Sequence, residues 1–228
     1  MPGPRRSNLK TPEWRPQATL ETLRLRAALL ARLREFFSRR EVLEVETPAL
    51  SAVGTTDPLL ASFAVAPHEP GAHRLRYPHT SPEFPMKRLL AAGSGAIYQI
   101  CKVFRQGESG RRHNPEFTLL EWYRPGWDYR ALMEEVDQLV RATLEGSRVL
   151  GPTEWLTYAE VFERHLGIDP HRADVARLRG VAEAAGVVPV GGLSGTDPQP
   201  WLDLLLATQI EPALGRSGRT CLTDYPAA

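Results

Sequence analysis

Cysteine is nearly absent from this chain. Cys101 and Cys221 stand alone in 228 residues, too few and too far apart for a disulfide framework or a zinc cluster. Long apolar runs are missing as well. Stretches such as residues 204–207 last only a few residues, far short of the roughly 18 to 20 that cross a bilayer. Arg5 and Arg6 form a twin-arginine pair, yet no apolar segment follows them, so a solvated basic tail is the plainer reading. No sign of charge dominates either. Lys and Arg number 28 against 27 Asp and Glu, a formal net charge of +1 that leaves the question of nucleic acid open. These absences point to a soluble, cytoplasmic protein with no membrane segment.

What is present begins with a hydrophobic share of 42%, enough to bury a full core in one domain. Residues 1–17 carry four prolines and no apolar period, which reads as a flexible leader before a domain at 18–228. From 18 to 40 the positions Leu23, Ala27, Leu30, Leu33 and Phe37 recur at helical spacing. Arginine is dense on the rest of that helix, fitting either a solvated face or a contact with an acidic partner or RNA. Val42, Val45 and Thr47 then favour extended chain up to Pro48. Thr80 and Glu83 have capping-box spacing, so a helix is predicted to open there with Pro82 in its first turn and to be ended by Gly93 and Gly95. Strands are predicted at 97–104 and about 116–124, and helices at 129–144, from Thr157 to Gly167, at 173–185 and at 201–210. A loop at 191–200 and a possible strand at 220–224 complete the pattern, with no internal repeat.

Polar chemistry is densest between Arg105 and Tyr123. If the two flanks are antiparallel strands, alternation puts Phe117, Leu119, Glu121 and Tyr123 on one face and Thr118, Leu120, Trp122 and Arg124 on the other. A ring, an acid and a phenol side by side suit the floor of a site for a planar, cationic ligand, because a buried carboxylate needs a partner. Arg105, Arg111, Arg112 and His113 are donors for phosphate oxygens, and Asn114 both donates and accepts. An exposed hairpin tip with Glu121 salt-bridged nearby accounts for the same residue types, and periodicity alone also allows a helix over 116–124.

Three landmarks in order carry a resemblance. Residues 24–50, ending in Val45-Glu-Thr-Pro-Ala-Leu50, are similar to motif 1 of class II aminoacyl-tRNA synthetases, a helix–strand dimerisation element. His79-Thr-Ser-Pro-Glu-Phe84 with Met86-Lys-Arg-Leu-Leu90 resembles the amino-acid-binding turn and helix of the lysine type. Phe104-Arg105, His113-Asn-Pro-Glu-Phe-Thr118 and Glu121-Trp-Tyr123 resemble motif 2. The run from Arg111 to Pro125 is similar specifically to the elongation factor P lysine ligases.

That resemblance implies an α+β fold of class II synthetase core type, a mainly antiparallel sheet flanked by helices, dimerising through motif 1. It implies ATP-dependent activation of lysine or β-lysine as an acyl-adenylate and transfer to a lysine of elongation factor P. Arg105 would act catalytically on the α-phosphate. Within Arg105-Gln106-Gly107-Glu108 and at His113, Asn114 and Phe117 ATP would bind, Phe117 stacking on adenine. Ser81, Pro82 and Glu83 would take the reacting end of the amino acid, Glu121 and Tyr123 its distal ammonium. Gly107, with Glu108 one place later, stands where the family often has an acid. The resemblance stops before the acidic strand that supplies Mg²⁺ ligands and before the glycine-rich motif 3, which neither Gly191-Gly-Leu-Ser-Gly195 nor Gly215-Arg-Ser-Gly218 matches. An incomplete C-terminal side, with an exposed sheet edge and marginal stability, is therefore expected. The alternatives are tRNA aminoacylation, less favoured because only a short leader precedes motif 1, and an inactive synthetase-like module.

Overall fold

The computed structural model describes residues 16–66, 74–111, 113–187, 193, 195–216 and 218–227. Most of the expected leader, Arg112 and part of the expected 191–200 loop lie outside the described residues. The chain divides into two compact units, Met1–Asp128 and Tyr129–Ala228.

The first unit opens with helix α1 (Leu20–Ser38), whose Thr19 N-cap hydroxyl accepts from the Thr22 amide. Its far end turns sharply into the sheet. Glu41 adopts a left-handed φ of +55°, its amide reaches Ser38 O at 3.1 Å, and the Val42 amide reaches Phe37 O at 3.1 Å. This is the Schellman pattern, with Val42 and Phe37 both buried as its apolar clasp. Strand β1 (Leu43–Glu44) follows, then β2 (Leu50–Ser51), β3 (Tyr77–Pro78), helix α2 (Glu83–Ala91) and the long strands β4 (Ile97–Phe104) and β5 (Glu116–Tyr123). β1 pairs parallel with β4, β4 antiparallel with β5, and β2 antiparallel with β3. Phe37 stacks on Tyr98 of β4 at 4.4 Å and 18°, and lies 5.6 Å from Trp122 of β5. Glu44 binds both Arg34 of α1, at 3.0 Å, and the Tyr98 hydroxyl, at 2.8 Å. Burial, then the Glu44 bond and charge, push that phenol up to about 12.

The apolar stripe expected along α1 is only half used. Phe37 is buried, but Leu23 is 47% exposed and Leu20 70%. Leu25 is 49% exposed as well, so the leucines of the first turns face outward, although Arg26 beside them donates to Thr118 of β5 at 2.7 Å.

The second unit holds α3 (Tyr129–Leu144), β6 (Thr153–Thr157), α4 (Tyr158–Leu166), α5 (Val175–Ala184), α6 (Gln199–Leu205) and β7 (Arg219–Thr223). A π turn at Leu206–Ile210 extends α6. Thr157 and Glu160 form the expected capping box, and Gly167, at φ +64°, ends α4. Tyr158, Phe162, Leu178, Trp201, Leu205 and Ile210 centre its core. β6 pairs parallel with β7, joined by a polar knot. Asp137 of α3 accepts from Arg219, Arg141 and Thr153. Burial raises its carboxyl, yet the bonds from Thr153, Arg141 and Arg219 and the Arg219 charge outweigh that and hold it at about 2.

Helices and sheets coexist, as expected, but among the described residues the strands form three small sheets of mixed direction. β6 went unforeseen and its ladder is parallel, so the expected single, mainly antiparallel sheet is corrected. The hairpin of β4 and β5 remains the longest antiparallel ladder. Among the described residues no helix is long and apolar enough to cross a membrane.

Candidate functional site

The segment around Asn114 folds back as a hairpin. Ile97 pairs with Tyr123, Gln99 with Glu121, Cys101 with Leu119 and Val103 with Phe117. Beyond the strands the Arg105 amide reaches Pro115 O at 2.9 Å, and backbone bonds between Gly110 and His113 close the tip. Gly107 takes φ +86° at the turn, where a side chain would be strained. The helix alternative over 116–124 is excluded.

Directly opposed residues of an antiparallel pair share a face. Tyr98 and Trp122 therefore meet α1, while Phe117, Glu121 and Tyr123 lie on the opposite face with Gln99 and Cys101. All three residues of the predicted set are half-buried. The Tyr123 hydroxyl donates to Glu121 at 2.7 Å. Burial, that bond and the charges of Glu121 and Glu83 all push the Tyr123 phenol well above its ordinary range. Glu83 thus lies within electrostatic reach of the pair. Glu121 takes its hydrogen bond from Tyr123 and forms no ion pair among the described residues. The salt-bridged Glu121 of the plain hairpin-tip reading is not found.

Arg105 leaves β4 towards the same face. Its guanidinium carbon lies 5.1 Å from the centre of the Phe117 ring, close enough for a cation–π contact. Its Nε donates to Thr80 O at 3.2 Å, and its NH1 faces Glu108 at 3.6 Å. Gln106 joins the 61–66 segment through its amide, at 2.8 Å from Ala61 O. His113, Asn114 and Arg111 are exposed on the tip.

The start of α2 differs from expectation. The predicted Thr80–Glu83 capping box does not form. Pro82 is the N-cap residue and carries no side-chain cap bond, so Glu83 is the first helical residue, not the third. From that position its carboxylate does not reach back as a capping-box glutamate does. The Glu83 amide instead meets the Ser81 hydroxyl at 3.2 Å, and Lys87, one turn on, pairs with the Glu83 carboxylate. Ser81 and Glu83 line a groove of about 590 Å³ with Thr47, Leu50, Val53 and Phe84. Arg105, Phe117, Glu121 and Tyr123 lie outside that lining. Sequence reasoning passed over Thr47, Gln99 and Cys101. Aligning β4 against β5 by alternation would have put Gln99 across from Glu121.

A family model described as tRNA synthetases class II (D, K and N) matches residues 6–194. The chain belongs to this family. It is 44% identical over 217 residues to an elongation factor P–(R)-β-lysine ligase of Histophilus somni, covering 94% of this chain and 65% of that protein. Identity is 47% over 221 residues to the ligase of the same name in Erwinia tasmaniensis, covering 95% and 66%. With the one in Pseudoalteromonas translucida it is 46% over 217 residues, covering 94% and 65%. The chain thus spans about two thirds of the length of these relatives. Among the described residues no group of three or more His, Cys, Asp or Glu side chains is placed to hold a metal ion.

Proposed function

We propose that the protein is a ligase that activates lysine or β-lysine with ATP and passes it to a lysine side chain of elongation factor P. The observation that carries this reading is Glu121. A half-buried carboxylate held by a phenol and met by no cation among the described residues asks for a cationic ligand. With Glu83 in electrostatic reach, two carboxylates suit an amino acid with two separated ammonium groups. The names of the relatives agree with that chemistry.

In this reading the amino acid's carboxylate attacks the α-phosphorus of ATP and pyrophosphate leaves. An acceptor amine then attacks the acyl carbon and releases AMP. Arg105 stabilises charge at phosphorus, exchanging its Glu108 contact for phosphate oxygens. His113 and Arg111 serve the outer phosphates, and Phe117 with Asn114 takes the adenine beside Gln106 and Gly107. Ser81, Pro82 and Glu83 receive the reacting end, with Glu83 leaving Lys87. Glu121 and Tyr123 hold the distal ammonium. Positioning and electrostatics carry the rate, without a covalent nucleophile. Mg²⁺, which neutralises triphosphate charge in such ligases, finds no ligand cluster among the described residues.

The outward leucines of α1, together with Leu43 at 58% exposure, support a homodimer built on this element. Light scattering of wild type and Leu23→Asp tests it, the variant being monomeric.

The decisive assay is pyrophosphate exchange with L-lysine and (R)-β-lysine, with and without Glu121→Ala, followed by mass analysis of elongation factor P. Exchange lost in the variant and a mass gain on the factor are the expected results. Absence of exchange with any amino acid defeats the reading. Formation of lysyl-tRNA favours the second one, tRNA aminoacylation, which draws on the family's own description.

A further inference from the structure

A buried glutamine persists where both ends of its amide are used, because an unmet polar group loses its hydration without return. Gln99 is 2% exposed. It lies on β4, on the face opposite α1, and its partner across the hairpin is Glu121. The Thr47 hydroxyl, from the chain that follows β1, donates to Gln99 Oε1 at 2.9 Å. An amide has one accepting and one donating end. With the acceptor held by Thr47, the N–H end is the one left to the rest of the face. Cys101 stands there, its thiol hydrogen-bonded by Gln99 and acted on by the charge of Glu121. Amide, thiol and carboxylate therefore form one cluster.

We infer that Gln99, braced by Thr47, is a positioning residue for Glu121, turning its amide N–H groups to the carboxylate's side and keeping that carboxylate aimed for an ammonium group. The inference rests on the reading of Glu121 given above. The residue type is constrained. Leucine at 99 would fill the space but strand the Thr47 hydroxyl. Glutamate would set a second carboxylate directly across from Glu121, and like charges opposed across a strand pair repel.

The test uses a Cys221→Ser background, which leaves Cys101 as the sole thiol. Burial holds that thiol up, the Gln99 bond draws it down and the Glu121 charge raises it again. Thr47→Val and Gln99→Leu are each expected to move the pH midpoint of Cys101 alkylation by iodoacetamide upward, while Thr47→Ser, which keeps the hydroxyl, leaves it in place. In calorimetric titration with L-lysine, Thr47→Val weakens binding about fivefold, the equivalent of one neutral hydrogen bond, and Gln99→Leu at least as much. Thr47→Ser binds like wild type. An unmoved alkylation profile in Thr47→Val, or lysine affinity unchanged in Gln99→Leu, overturns the inference. A wild-type chain that binds no lysine defeats the function proposed above, and the alkylation profile then decides the Thr47–Gln99 brace by itself.

Discussion

Glu121→Gln separates the binding role of this residue from a structural one, because the two predict effects of opposite sign. The substitution keeps the shape of the side chain and an oxygen for the Tyr123 hydroxyl, now 2.7 Å away, and removes only the charge. Without substrate, that charge is half-buried, meets no cation among the described residues and lies near Glu83. Neutralising it should raise stability by about 0.5–1 kcal/mol, since an imperfectly compensated buried charge is a net cost. For a chain of this size that is about 1–4 °C in Tm. With L-lysine the sign reverses. Losing one charge-assisted hydrogen bond costs about 2–3 kcal/mol, a weakening of about 30- to 150-fold. Thermal denaturation followed by calorimetric titration reads both. A lower Tm with unchanged lysine affinity would refute the reasoning and return Glu121 to a structural role.

Other perturbations address the scaffold. Asp137 has its carboxyl at about 2, below the ordinary aspartate value, so its contribution of about 2 kcal/mol is complete above pH 4 and lost as pH falls through 2. Urea titrations should find Asp137→Asn less stable than wild type by that amount at pH 7, with the gap closing between pH 4 and pH 2. Glu41→Gly removes a side chain from a left-handed position and should stabilise the chain by about 0.5–1 kcal/mol in chemical denaturation. Gly218→Ala should lower Tm markedly, because an added Cβ would overlap the carbonyl oxygen of Pro152.

What the sequence made legible were features whose cause is local. The helix at Tyr129–Leu144 announces itself by periodicity, the one opening at Tyr158 by Thr157, Glu160 and Gly167, and β4 and β5 by alternation around a polar tip. What it concealed depended on distant partners. Thr153–Thr157 is a short run abutting a helix, and only its parallel pairing with Arg219–Thr223 makes it a strand. Thr80 and Ser81 offer the same kind of hydroxyl to α2. Tertiary contact decides between them, for Thr80 is buried and its carbonyl takes Arg105. In the candidate site, charged and aromatic members stood out by type. Neutral Gln99 needed the hairpin register before it had a place beside Glu121.

That register also ties the fold to the chemistry. β5 carries two sets of side chains on one backbone: Trp122 beside Phe37 under α1, and Glu121 with Tyr123 on the far face. A slip of one residue against β4 would exchange the sets, because side chains alternate with period two. Glu121 and Tyr123 would then lie together against Phe37 and Tyr98, while Trp122 would turn to the face meant for a cation. The aromatic clasp on Phe37 therefore favours the same alignment that aims the carboxylate. A substitution that loosens the clasp, such as Phe37→Ala, should accordingly weaken lysine binding although Phe37 lies on the other side of the sheet.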